Sequence, residues 1–81
     1  PLRRSSMDIA ARLYRQSPTV NHTDDFAKAL LLLAPYEETA KAQAAIRYAI
    51  KLWEQLDRQE PSAVYRERIA VAQSELKRRE R

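Results

Sequence analysis

The chain has 81 residues, a net charge of +4, no glycine and no cysteine. This length predicts a single domain, and the absence of cysteine excludes disulfide bridges, a thiolate nucleophile and cysteine-ligated zinc. Glycine supplies the positive-φ residues of tight hairpin turns, so a chain without it is poorly suited to a β-meander. Strong helix formers make up much of the remainder, and we predict an all-α fold.

No stretch of the sequence resembles a transmembrane or targeting segment. A helix that spans a bilayer needs roughly 18 apolar residues in a row, whereas the longest run here, Ala29 to Ala34, has six. No signal peptide is visible, and we expect an intracellular, cytoplasmic protein. Because the sequence begins at Pro1 rather than Met, we also expect a fragment of a larger protein.

The first predicted helix spans residues 7–17 and follows a loose, basic N-terminus at residues 1–6. Pro18 ends this helix because the residue before a proline is pushed out of the α region. The apolar residues recur at helical spacing and form one stripe: Met7, Ala10, Ala11 and Tyr14.

The second predicted helix spans residues 24–34. Thr23 is the expected N-cap, since its hydroxyl can accept a hydrogen bond from the first turn, and Asp24 and Asp25 follow it. The stretch from Phe26 to Ala34 is apolar nearly all round, which predicts burial on more than one side.

The third predicted helix is long and spans residues 36–59. Pro35 either ends the second helix or lies in the first turn of the third, and Glu37 and Glu38 favour the second interpretation through the helix dipole. Apolar residues follow a 3-4 pattern along it: Ala42, Ala45, Ile46, Ala49, Ile50, Trp53 and Leu56.

The fourth predicted helix spans residues 62–78 and begins after Pro61. Its apolar stripe is narrow: Tyr65, Ile69, Ala72 and Leu76. The last two helices match in length and are expected to form a long antiparallel hairpin. The predicted fold is therefore a small bundle of three or four helices that ends in this hairpin.

No catalytic constellation is present in the sequence. There is no glycine-rich phosphate loop, nucleophile elbow or paired metal-ligand motif. His22 is the only histidine, and helix capping accounts for the nearby Asp24 and Asp25. We predict that the chain is not an enzyme and that it uses no cofactor and no metal.

From about Asp24 onward the sequence resembles the MIT domain, a three-helix relative of tetratricopeptide units. The stretch from Ala42 to Trp53 is similar in phase to the second helix of that family, and Tyr65 to Lys77 is similar to its third. Ile46 stands where an aromatic residue is usual, and Pro35 replaces a glycine-containing turn. The resemblance implies binding of short helical or extended peptides between helices, typically in membrane-remodelling or autophagy machinery.

The apolar surface predicted for the second and third helices exceeds what a small bundle buries, which favours a protein-interaction module. Such an adaptor or scaffold would bind a partner segment or a second copy of itself. Trp53 lies either in the core or at the lip of the binding groove. The predicted groove lies between the third and fourth helices and has eight residues: Ile46, Ala49, Ile50, Trp53, Tyr65, Ile69, Ala72 and Leu76.

The alternative function is binding of nucleic acid or another anionic surface through the two basic ends. Residues 1–16 carry four arginines against one aspartate, and residues 64–81 carry six basic against three acidic side chains. Such ends are also typical of solubilising termini. If the ends lay side by side, they would form one patch: Arg3, Arg4, Arg12, Arg15, Lys77, Arg78, Arg79 and Arg81.

Overall fold

The structure is a computed structural model that describes the backbone of residues 2–79 and the side chains of residues 7–79. Within this range the chain forms four α-helices and no strand, which confirms the predicted all-α fold. The helices are α1 (Leu2–Gln16), α2 (Val20–Leu33), α3 (Thr39–Gln59) and α4 (Ala63–Arg79), and a 3-10 helix (Ala34–Tyr36) joins α2 to α3.

Helix α1 begins at Leu2, so the loose N-terminus predicted for residues 1–6 is wrong from that residue onward. No proline or glycine interrupts the sequence between Leu2 and Gln16, and its arginine and leucine residues are strong helix formers. The predicted C-terminal end of α1, residue 17, is one residue beyond the observed end at Gln16. The amide of Ser17 donates a hydrogen bond of 2.9 Å to the carbonyl of Leu13, and Pro18 follows.

Helix α2 begins one turn earlier than predicted because Thr19, not Thr23, is its N-cap. The Thr19 hydroxyl accepts a hydrogen bond of 3.2 Å from the amide of His22. Thr23 lies inside the helix and is buried, and its hydroxyl donates to the carbonyl of Thr19 at 2.8 Å. Thr19 and Thr23 have the same side chain and either could cap the helix, but Thr19, directly after Pro18, is the residue that does so.

Pro35 lies in the 3-10 helix between α2 and α3 rather than in the first turn of α3. The amide of Glu37 closes this short turn on the carbonyl of Ala34 at 3.2 Å. Helix α3 then begins at Thr39, three residues later than predicted, with Glu38 at the N-cap position. Glu37 and Glu38 therefore precede the first turn and do not lie within it.

Helices α3 and α4 form the predicted antiparallel hairpin. The amide of Ser62 donates to the Asp57 carboxylate at 2.9 Å, and the amide of Val64 donates to the Ser62 hydroxyl at 3.2 Å. Arg66 of α4 also pairs with Asp57 at 3.5 Å. Three short contacts thus fix the connection through which the chain reverses.

Each helix packs mainly on its neighbours in sequence: α1 on α2, α2 on α3 and α3 on α4. The rings of Tyr14 and Phe26 lie 5.2 Å apart, and those of Phe26 and Tyr48 lie 5.4 Å apart. Because the connections between successive helices are short, neighbouring helices run antiparallel. The described extents of 33 × 28 × 15 Å correspond to a flat arrangement two helix layers thick.

Helix α3 forms the centre of the core and contributes seven buried residues. Trp53 and Ile46 are the largest fully buried side chains. Helix α4 contributes only Ala72 to the fully buried set, so its attachment to the bundle depends on half-buried residues and on polar contacts. No buried side-chain nitrogen or oxygen among the described residues lacks a hydrogen-bond partner.

Candidate interaction surface

The α3–α4 groove predicted from the sequence is closed, which corrects that prediction. Its α3 members and Ala72 are buried, and its other α4 members are half-buried against the same core. Small alanine side chains on α3, such as Ala49, let α4 approach closely, so the apolar stripes of the two helices pack on each other and leave no room for a partner. The buried members are Ile46, Ala49, Ile50, Trp53 and Ala72, and the half-buried members are Tyr65, Ile69 and Leu76.

Trp53 lies in the core, which decides between the two interpretations of this residue. Only 1% of its surface is exposed. Its indole Nε1 donates a hydrogen bond of 2.8 Å to Oδ1 of Asp24 on α2. The ring therefore joins α3 to α2 and does not lie at the lip of a groove.

Asp24 connects three helices through its carboxylate. Besides the Trp53 indole, Oδ1 accepts a hydrogen bond of 2.5 Å from Nη1 of Arg68 on α4. Oδ2 lies 3.1 Å from Nζ of Lys28, one turn along α2. From the sequence, only a role in helix capping was predicted for Asp24. The one feature that could have indicated the contact is that the N–H of a buried tryptophan needs a hydrogen-bond acceptor.

The pKa of Asp24 lies below its ordinary value of 3.8. Burial alone would raise this pKa, but the hydrogen bond from Trp53 and the contacts with Lys28 and Arg68 favour the ionised carboxylate and outweigh burial. The Asp24 cluster, defined as Asp24, Lys28, Trp53 and Arg68, therefore contains an ionised carboxylate at neutral pH.

We expect the Asp24 cluster to make folding sensitive to acid. Because the pKa is lower in the folded chain than in the unfolded chain, the stabilisation is present above about pH 4 and is lost as the pH falls through the folded pKa. Urea titrations at several pH values should show a loss of unfolding free energy in that window. Asp24→Asn should reduce this loss, and an equal acid loss in both proteins would contradict the assignment.

A shallow apolar cleft lies between α2 and α4. This α2–α4 cleft has a volume of about 300 Å³ and is lined by Leu31, Val64, Glu67, Arg68 and Val71. Val64 is 51% exposed and Val71 is 56% exposed, although both are apolar. Arg68 is held by Asp24, and Glu67 is exposed.

A second concave surface lies between α1 and α2. This α1–α2 groove has a volume of about 160 Å³ and is lined by Ile9, Ala10, Leu13, His22 and Asp25. Ile9 is 55% exposed and Leu13 is 40% exposed. The two concave surfaces lie on opposite flanks of α2, since His22 and Asp25 border one and Leu31 borders the other.

The two basic ends were predicted to form a single patch, but the described residues of that patch lie at opposite ends of the bundle. Tyr14 lies against Phe26, which places the end of α1 beside the first half of α2. Because α4 runs antiparallel to α3, its basic end lies beside the start of α3, at the other end of the bundle. The described members on α1 are Arg12 and Arg15, and those on α4 are Lys77, Arg78 and Arg79.

Three members of the predicted patch are not among the described side chains. The side chains of Arg3 and Arg4 and the whole of Arg81 lie outside the described residues. On α4, Glu75 forms ion pairs with both Arg78 and Arg79, so part of the local positive charge is neutralised.

Comparisons with protein-family models, curated proteins and solved structures give no match to this chain. Among the described residues, no three acidic, histidine or cysteine side chains are grouped closely enough to hold a metal ion. None of the helices in the described range combines the length and the apolar character required to cross a membrane.

Proposed function

We propose that this chain is a non-catalytic protein-interaction module that binds a short segment of a partner protein in the α2–α4 cleft. The exposure of Val64 and Val71 on one flank of α4, opposite Leu31 of α2, is the observation that supports this proposal. Apolar side chains left more than half exposed around a concave surface are typical of docking sites.

The spacing of the two valines indicates the size of the bound segment. Val64 and Val71 are seven residues apart on α4, which corresponds to about 10 Å along the helix axis. A partner helix with apolar side chains at positions i, i+3 or i+4, and i+7 covers the same distance. A segment of two to three helical turns therefore fits the α2–α4 cleft.

The walls of the cleft are held in place before any partner binds. Arg68, one of the lining residues, is bonded to Asp24 of α2, and the same carboxylate is bonded to Trp53 in the core. A preformed site loses little conformational entropy on binding, so even a small apolar contact contributes usefully to affinity.

The resemblance of residues 24–81 to MIT domains supports the same function, because those domains bind peptides between their helices. On this basis the chain serves as a cytoplasmic adaptor or scaffold without a cofactor. A second copy of the chain is the competing occupant of the cleft, and light scattering at two protein concentrations distinguishes self-association from binding of a separate partner.

Selection of binding peptides from a displayed library against the folded chain tests the proposal. We expect the selected peptides to share two or three apolar residues at helical spacing. Val71→Glu should weaken their binding at least tenfold, because it places a charge where a valine would be buried.

Ala70→Glu is the matched control for Val71→Glu, since Ala70 is also exposed on α4 but does not line the cleft. Peptide binding to Ala70→Glu should equal that of the original chain. Equal binding to both variants, or a library that yields no binding peptide, would refute the cleft as the functional site.

A further inference from the structure

We propose that α4 is a hinged arm that undocks from the rest of the bundle as one unit, in a minor open state of the folded chain. The hinge is the connection at residues 60–62, and the latch is the contact of Arg68 with Asp24. Because α4 carries four of the five side chains that line the α2–α4 cleft, undocking removes that cleft. The undocking itself is independent of the proposed function, and only its consequence for binding rests on that function.

The buried residues are distributed unevenly among the helices. Helix α2 contributes five buried residues and α3 contributes seven, whereas α4 contributes only Ala72. The other apolar residues of α4 that face the core are half-buried, namely Tyr65, Ile69 and Leu76. Since the free energy of burial scales with the apolar area removed from water, less apolar burial holds α4 in place than holds α2 against α3.

The aromatic cluster of the bundle contains no residue of α4. Phe26 of α2 lies between Tyr14 of α1 and Tyr48 of α3, with ring centroids 5.2 Å and 5.4 Å apart. Among the described side chains of α1 only Ala11 is buried, but this helix is tied to the cluster through its Tyr14 ring. Helix α4 can therefore leave without breaking the cluster that joins the other three helices.

The polar contacts of α4 with the bundle fall into a hinge and a latch. Near the hinge, the Asp57 carboxylate accepts a hydrogen bond of 2.9 Å from the amide of Ser62 and pairs with Arg66 at 3.5 Å. These contacts lie within about one turn of the connection and can persist when the rest of α4 moves away. Arg68 instead reaches across to Asp24 on α2 at 2.5 Å, so this contact must break when α4 undocks.

Native-state hydrogen exchange of the full chain, measured for each amide by NMR below the unfolding transition, tests the proposal. An isolated helix of 17 residues is only marginally stable in water, so an undocked α4 exchanges its amides with solvent. We expect α4 amides to be protected at least about tenfold less than the core amides of α3, with a weaker dependence on denaturant because less surface is exposed. Equal protection and equal denaturant dependence of the two helices would overturn the proposal.

Two variants separate undocking from global unfolding. Arg68→Ala removes the latch and should lower the protection of α4 and α3 amides alike by about fivefold, because it destabilises the docked state against both the open and the unfolded states. Phe26→Leu weakens the aromatic cluster and should lower the protection of α3 amides by at least about fivefold while leaving that of α4 unchanged. Circular dichroism checks that both variants are folded.

Each variant has a result that contradicts its part of the proposal. If Phe26→Leu lowers the protection of α4 as much as that of α3, α4 does not open independently of the other helices. If Arg68→Ala leaves the protection of α4 unchanged, the contact with Asp24 is not the latch.

The consequence for the α2–α4 cleft is tested with a peptide selected from the displayed library. At about 100 times its dissociation constant, the peptide should raise the protection of α4 amides about 100-fold, because it binds only the docked state. Peptide binding without this increase would show that the cleft does not depend on the docking of α4. A selection that yields no peptide would refute the function proposed for the cleft, while exchange of the chain alone still decides whether α4 undocks.

Discussion

Trp53→Ala is expected to destabilise the fold by about 3–5 kcal/mol, the range measured when a large buried aromatic residue is removed from a core. Trp53 is 1% exposed and contacts α2 through its hydrogen bond to Asp24. Since small domains are stable by only about 5–15 kcal/mol, this substitution removes much of the total. Urea denaturation followed by circular dichroism measures the loss.

Two further variants separate the contributions of the Trp53 side chain. Trp53→Phe keeps an aromatic ring but removes the indole N–H, and we expect a smaller loss of about 1–3 kcal/mol from the missing hydrogen bond and the reduced ring size. Val64→Ala, at a half-exposed site on α4, should change stability by less than about 0.5 kcal/mol. If Trp53→Ala costs no more than Val64→Ala, the core position of Trp53 is wrong.

The sequence is sufficient to predict the fold class and the C-terminal hairpin. Proline positions and a 3-4 apolar pattern are local properties, and the helices they indicate are present. The exact first residue of each helix is harder to predict from the sequence, because alternative N-cap residues stabilise the helix by similar amounts. Thr19 and Thr23 carry the same side chain, and only the packing of Thr23 into the core distinguishes them.

The interaction surfaces are harder to predict because they depend on which helices cover each other. The periodicity of α3 and α4 identifies apolar stripes but not whether the chain itself supplies the partner helix, and here α4 covers α3. Charge counts by segment likewise do not show where each segment lies in the fold. The two basic ends were predicted to meet, but Arg15 and Arg79 lie at opposite ends of the bundle. Asp24 contacts residues 29 and 44 positions away in the sequence, beyond any local pattern.

The Asp24 cluster should be the main polar attachment of α4, and a double-mutant cycle measures this role. Asp24→Ala is expected to cost about 2–3 kcal/mol, because it leaves the buried indole of Trp53 without an acceptor and two cations without a carboxylate. Arg68→Ala should cost about 1 kcal/mol, since the Arg68 side chain is 31% exposed and water screens part of the interaction.

The double variant, Asp24→Ala with Arg68→Ala, should cost less than the sum of the single substitutions by about 1 kcal/mol, the coupling expected between residues in direct contact. Lys28→Ala is the matched control, because Lys28 contacts the same carboxylate but is 45% exposed, and its removal should change stability by less than about 0.5 kcal/mol. Strict additivity of Asp24→Ala and Arg68→Ala would show that the Asp24–Arg68 contact does not contribute to the attachment of α4. In that case the packing of α4 on α3, and not the Asp24–Arg68 contact, would fix the walls of the α2–α4 cleft.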